Sequence, residues 1–302
     1  MTKSLSGKTF VVTGATSGIG AAAAAILARQ GAAVIGVGRS AERCERSAEQ
    51  IREDAPGAKI AYCLADLSIQ GQIRALAPAI RKQLAAWETT SLDGLVNNAG
   101  TFTFWQTLTA EGFEMQWAVN HLAPFLLTHE LLPLLKTAAA SRVVTVSSGA
   151  HYRIRKLNWD DIQLRKAYNP LKAYKQTKLA NVLFTVELNR RLGERSTVRA
   201  FAADPGLVNT KIGLKGNPGL ARWIWNCRRQ KGIAPEESAQ GVVFLVSDPT
   251  VSSSPEIYWK HGTPQPPNPY ALDAGAGRRL WELSAKMCGL LKPQVAEHAP
   301  SG

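Results

Sequence analysis

Tyr174 and Lys178 stand four residues apart in Tyr174-Lys-Gln-Thr-Lys178, a spacing that puts a phenol and an ammonium on one face of a helix. A phenol titrating near ~10 is a poor acid–base catalyst at neutral pH. A neighbouring cation favours the phenolate and moves the group toward a useful range. Ser148 precedes Tyr174 at the end of an apolar run, where its hydroxyl could bond a substrate oxygen and share developing charge. Ser147 reads as a strand-end hydroxyl beside it. Tyr168 and Lys172 repeat the four-residue spacing, but Pro170 lies between them and breaks a helix there. The second pair is therefore preferred.

These groups need elements to hold them. Apolar runs at 9–13, 33–37, 59–63, 94–97, 142–146 and 198–203 are continuous rather than alternating, as strands covered on both faces are. Residues 256–260 form a seventh candidate. Helix-length segments fall at 18–30, 40–54, 69–87, 109–136, 172–192, 235–247 and 277–291. Strand–helix alternation implies an α/β fold: a Rossmann-type, doubly wound, seven-stranded parallel sheet flanked by helices. The expected organisation is a single domain over 1–293 with a substrate lid at about 207–234, followed by a flexible tail at 294–302.

The first strand runs straight into Thr13-Gly-Ala-Thr-Ser-Gly-Ile-Gly20 and then a helix opening on five alanines. Glycines at such a turn allow helix N-terminal amides to meet a pyrophosphate. Asp66 lies at the end of the third strand, within reach of an adenine amino group. Asn97-Asn-Ala-Gly100 ends the fourth strand, across the crevice where strand order should reverse. The second strand ends in Val37-Gly-Arg-Ser40. A carboxylate there would hold a ribose diol, whereas Arg39 favours a 2′-phosphate, so the dinucleotide is expected to be NADP(H). Arg43, one turn further on, reads as a solvated helix face.

Together, Thr13–Gly20, Asn97–Gly100, Val146-Ser-Ser148, Tyr174–Lys178 and Pro205-Gly206 resemble the short-chain dehydrogenase/reductase family. Asn120-His-Leu-Ala-Pro-Phe-Leu-Leu-Thr128, Lys178-Leu-Ala-Asn-Val-Leu-Phe184, Tyr258-Trp259 and Leu280-Trp-Glu-Leu-Ser284 are similar to its retinol-dehydrogenase-like branch. The resemblance implies Ser148, Tyr174, Lys178 and Asn120 as the catalytic set, with Asn120 holding a relay water near the lysine. It implies cofactor contacts at Gly14, Thr16, Ser17, Gly18, Ile19, Gly20, Arg39, Asp66, Leu67, Asn98, Ala99, Gly100, Tyr174, Lys178, Pro205, Gly206, Val208 and Thr210. Two departures stand out. Asp204 precedes Pro205 where the branch often has histidine, and a long Ser148–Tyr174 interval implies an inserted loop over the site.

Composition narrows the function classes. The 302 residues carry a formal charge of +13, with ordinary apolar and charged shares of 45% and 20%. The excess sits in two segments, 151–178 and 211–231, each +6. Both should border the substrate mouth, with Phe102, Phe104 and Trp105 adding an apolar wall. A basic rim around an aromatic mouth suits an apolar aldehyde or ketone, and it suits peripheral attraction to an anionic membrane. Basic–aromatic interleaving is too local for a nucleic-acid groove. The four cysteines and five histidines are scattered, so neither disulfide nor metal is expected. No run approaches a membrane span, and a cytoplasmic location is expected. The expected activity is hydride transfer between NADP(H) and a carbonyl or alcohol. Reduction of a conjugated C=C bond, or a non-catalytic nucleotide-sensing role, are the alternatives. Members of the family it resembles pair through the helices at 109–136 and 172–192, as homodimers or tetramers, while others are monomers, so the resemblance leaves the oligomeric state open.

Overall fold

The structure is a computed structural model and describes residues 4–208 and 232–291. Most of the expected lid, Thr210 included, lies outside the described residues.

Strand β1 (Thr9–Thr13) leads to α1 (Gly18–Arg29), β2 (Ala33–Gly38), α2 (Ala41–Asp54), β3 (Ile60–Leu64), α3 (Gln70–Ala86) and β4 (Gly94–Asn97). Helices α4 (Met115–Trp117) and α5 (Ala123–Leu135) follow, then β5 (Ser141–Val146), α6 (Pro170–Leu192) and β6 (Val198–Asp204). After residue 231 come α7 (Pro235–Ser247), β7 (Tyr258–Lys260), β8 (Thr263–Pro264) and α8 (Ala274–Met287). The sheet runs β3-β2-β1-β4-β5-β6-β7-β8. All pairings are parallel except β7–β8. The strand order reverses between β1 and β4, so their carboxyl ends open a crevice.

Successive strand residues point to opposite faces, and both faces are buried. Val11, Ile35, Leu95, Val143 and Ala200 pack under α3, α5, α6 and α8. Val12, Val34, Val96, Val144 and Phe201 pack under α1, α2 and α7. The alanines of α1 bring that helix close to the sheet and to α7.

Three expectations change. The sheet has eight strands rather than seven, because two residues, Thr263 and Pro264, pair antiparallel with β7; a run that short carries no periodicity. The helix expected over 109–136 starts only at Met115. Glu114 stops it by accepting from the amides of Gln116 (3.0 Å) and Trp117 (2.7 Å), and a π-helical turn occupies Ala118–Leu122. Pro170 opens α6 instead of breaking a helix: Asn169 caps it by accepting from Lys172 N at 2.9 Å, and proline suits the first helical position. The inserted stretch between β5 and α6 contains two 3-10 turns, Gly149–Arg153 and Trp159–Asp161.

Candidate active site

At the nucleotide end, Gly14 and Gly18 hold positive φ angles of 67° and 57°, backbone that glycine adopts without strain. Gly20 is required for a different reason, since a Cβ there would lie 2.3 Å from Asn98 Nδ2. Asn98 Nδ2 donates to Thr13 O (2.9 Å), while Thr13 Oγ1 accepts from the amides of Asn98 and Ala99, each at 3.0 Å. One threonine thus locks the β1 and β4 ends together. Ser17 makes no side-chain cap on α1 and the first turn holds no acid. The helix start therefore keeps amides and positive dipole free for an anion.

Arg39 is exposed at the end of β2. Arg43 is not a purely solvated residue: its Nη2 donates to Thr16 O at 3.2 Å, folding the guanidinium over the glycine-rich loop. Tyr62 supports the same loop by donating to Ala15 O (2.9 Å) and meeting Ser47 Oγ at 2.8 Å. Asp66 Oδ1 accepts from the amide and hydroxyl of Ser68 at 2.9 and 2.7 Å. Leu67 lies beside Ala99 and Thr13 in a small recess.

At the other side of the crevice, Ser148, Tyr174 and Lys178 come together. The Tyr174 phenol is hydrogen-bonded to Ser148, and burial pushes it up to about 12, against the lowering effect of that bond; Asp204 raises it further. Lys178 is buried, donates from Nζ to Val146 O at 3.0 Å and is held down to about 8 by burial, with Asp204 opposing. The expectation that the ammonium would depress the phenol is thus outweighed by desolvation in the protein alone. Phe102 meets the Tyr174 ring edge-on at 5.8 Å. Trp105, by contrast, is 70% exposed.

Asn120 lies in the π-helical turn, a distortion frequent at functional sites. Its Oδ1 accepts from Thr101 N (2.7 Å), and its Nδ2 donates to Thr101 O (2.9 Å) and Thr177 Oγ1 (3.3 Å). The amide therefore braces the loop after β4 against α6. Tyr168 sits just before α6, bonded to Gln116 (2.9 Å), Glu114 (3.1 Å) and Thr103 (3.0 Å). Pro205, Gly206 and Val208 follow β6, and Val208 forms a parallel bridge with Ile233.

The model for short chain dehydrogenases matches residues 8–219. The chain belongs to that family. Short-chain dehydrogenases of the retinol-dehydrogenase-like branch are its relatives: Retinol dehydrogenase 14 of Homo sapiens is 39% identical over 298 residues, covering 95% of this chain and 88% of that one. Dehydrogenase/reductase SDR family member 13 of Bos taurus is 39% identical over 301 residues, covering 97% and 76%. Among solved structures, an uncharacterized protein from Mycobacterium paratuberculosis superposes with TM-score 0.71 at 34% identity, covering 95% of each chain. The angucycline C-6 ketoreductase LanV with bound NADP gives TM-score 0.68 at 27% identity, covering 86% and 95%. Short-chain dehydrogenases are oxidoreductases that use a nicotinamide cofactor, and the uncapped α1 start with its glycine cradle fits a dinucleotide here.

Sequence reasoning did not assign three supports of this site. Asn181 Nδ2 reaches Val146 O at 3.4 Å beside Lys178. His121 faces Asn181 Oδ1 at 3.4 Å and Ser284 Oγ at 2.8 Å. Tyr258 donates to Asp204 at 2.8 Å. The i, i+3 spacing of Lys178 and Asn181 was the available signal for the first.

Proposed function

We propose that this short-chain dehydrogenase transfers hydride between NADP(H) and an apolar aldehyde or ketone and its alcohol. The observation that carries the reading is the bonded Tyr174–Ser148 pair beside buried Lys178, facing the crevice that opens at the uncapped start of α1. The nicotinamide cofactor, when bound, supplies or accepts the hydride. Tyr174 Oη gives its proton to the carbonyl oxygen in reduction and takes it back in oxidation. Ser148 Oγ, already bonded to the phenol, orients the same oxygen and shares its charge. Lys178 holds the ribose hydroxyls and offers a cation beside the phenol once they draw it from Val146 O. Asn120 keeps the loop after β4 at the distance from α6 that a relay water needs. Arg39, aided by Arg43, reads the 2′-phosphate, and LanV, the ketoreductase with bound NADP, supports that choice. The names of the retinol dehydrogenase relatives support an apolar carbonyl substrate.

Oxidation of NADPH and of NADH should be followed against a panel of aldehydes, ketones and retinoids. Turnover with NADPH on apolar carbonyls is expected, and a preference for NADH would refute the role of Arg39. Products from conjugated enones separate C=O from C=C reduction.

The rim carries Arg153, Arg155, Lys156, Arg165, Lys166 and Lys172, all exposed, near exposed Tyr152 and Leu171. No helix among the described residues is long and apolar enough to cross a membrane. The rim supports peripheral attraction to anionic lipid. Co-sedimentation should favour anionic over neutral liposomes and weaken with salt; equal partition would remove the attraction.

A further inference from the structure

Asp204 ends β6 with only 3% exposure. Its Oδ1 accepts from Gly206 N at 2.9 Å and its Oδ2 from the Tyr258 hydroxyl at 2.8 Å. On its other side it meets the segment that leaves β5, where a Cβ on Gly149 would lie 3.2 Å from Oδ2. The contact continues past Tyr258. The Tyr258 ring packs 4.6 Å from that of His151. His151 Nε2 accepts from Asn268 N at 3.1 Å, so Nδ1 carries the proton and donates to Ser148 O at 2.8 Å. A buried carboxylate is therefore joined, through two rings, to the backbone of the serine that bonds Tyr174. Carboxylates this buried are costly unless every oxygen is bonded, and here both accept.

Resting on the oxidoreductase reading above, we propose that Asp204 is a positioning residue of the active site. It fixes the Pro205–Gly206 turn and, through Tyr258 and His151, the Ser148 backbone, while presenting one negative charge to Tyr174 and Lys178. Its other titratable neighbours are Tyr152 beside His151, and Lys260 and His261 across the sheet edge. Asp204 opposes the burial that lowers Lys178. The same charge raises Tyr174. Removing it should lower both groups together, an effect that loss of a packing contact alone would not give.

The test needs neither cofactor nor substrate. In protein labelled at the lysine side-chain carbons, the resonance that titrates near 8 and vanishes in Lys178→Arg is followed by NMR. In Asp204→Asn its midpoint should fall by at least about half a pH unit. Asp204→His, which likewise removes the carboxylate, should do the same and covers failure of the first variant to fold. Tyr258→Phe, which removes a donor but leaves the charge, should move the midpoint by less than half as much. The alcohol-oxidation pH profile of kcat/KM should shift to acid by a similar amount in Asp204→Asn. An unchanged Lys178 midpoint in both Asp204 variants, or an equal shift in Tyr258→Phe, overturns the proposal. Absence of turnover in the wild type would instead defeat the oxidoreductase reading and leave the titration result standing.

Discussion

Lys178 Nζ donates to Val146 O at 3.0 Å while lying 5.4 Å from the Tyr174 ring centroid. The cation of the proposed site is thus pinned to the last carbonyl of β5. That bond does not restore the solvation lost on burial, which is why Lys178 falls to about 8. A group this far below its ordinary value destabilises the fold at neutral pH. Both folded and unfolded chains are protonated below pH ~8, so the penalty is complete there; between about 8 and 10.5 the folded chain sheds its proton first and stability rises with pH. Lys178→Met should therefore raise stability at pH 7 by up to about 3 kcal/mol, with the gain shrinking toward pH 10 and turnover falling at least ~100-fold. Chemical denaturation at several pH values measures the first effect. A destabilised variant at pH 7 would contradict it.

The two phenols separate by role. Tyr174→Phe should lower kcat by roughly 10²–10⁴-fold, with cofactor binding retained by fluorescence titration. Tyr168→Phe should keep kcat within about threefold but lose stability, because it breaks a cluster with Glu114, Gln116 and Thr103. The opposite ranking would move the acid–base role to Tyr168.

Arg43 rests on Thr16 O at 3.2 Å, beside the loop that would flank an adenosine phosphate. Arg39→Ala should raise the KM for NADPH about tenfold or more and that for NADH little, since loss of one charge-assisted bond is worth about 1.5–3 kcal/mol. Arg43→Ala should act in the same direction and more weakly. Equal losses with both cofactors would mean a loop defect rather than lost phosphate recognition.

His121 is fully buried, and burial lowers it from 6.5 to about 4. Its folded form stays neutral where the unfolded chain has taken a proton. Stability should decline as pH falls from about 6.5 to about 4, at a slope near ~1.4 kcal/mol per unit for one proton. His121→Gln should flatten that acid limb while costing stability at pH 7 through the Ser284 and Asn181 contacts. An acid limb unchanged in the variant would assign the decline to other groups.

Gly206 has φ +73°, and a Cβ there would lie 2.4 Å from His261 Nε2. Gly206→Ala should destabilise by about 1–3 kcal/mol and raise the cofactor KM. His261→Ala should restore only the part due to collision, leaving the backbone strain, a distinction that a double-mutant cycle reads directly.

The legible features were local. Glycines between a strand and an alanine-rich helix, and a phenol four residues before a lysine, each express their geometry within one turn of chain. The interlocks were not legible. Asp204 and Tyr258 meet from positions 54 residues apart, and His121 and Ser284 from 163, separations that no periodicity encodes. The π-helical turn at Ala118–Leu122 follows from Glu114 capping two amides and Asn120 being drawn to Thr101, contacts that exist only after folding. Strand β8 is too short for a pattern. Arg43 was misread because helical periodicity shows which face a side chain takes, not which loop lies over it.

Helix α8 packs along α6 and reaches α5 through Trp281. Trp281 packs on Phe125 and Phe184 at 5.0 and 6.0 Å, Arg191 lies over its ring, and Ser284 reaches His121. Those two helices are the ones through which paired members of the resembling family associate. A second molecule approaching there would meet this chain's own α8, already bonded in place. Sedimentation should therefore find a monomer, and shortening the chain before Ala274 should expose the apolar seam on which Trp281 packs.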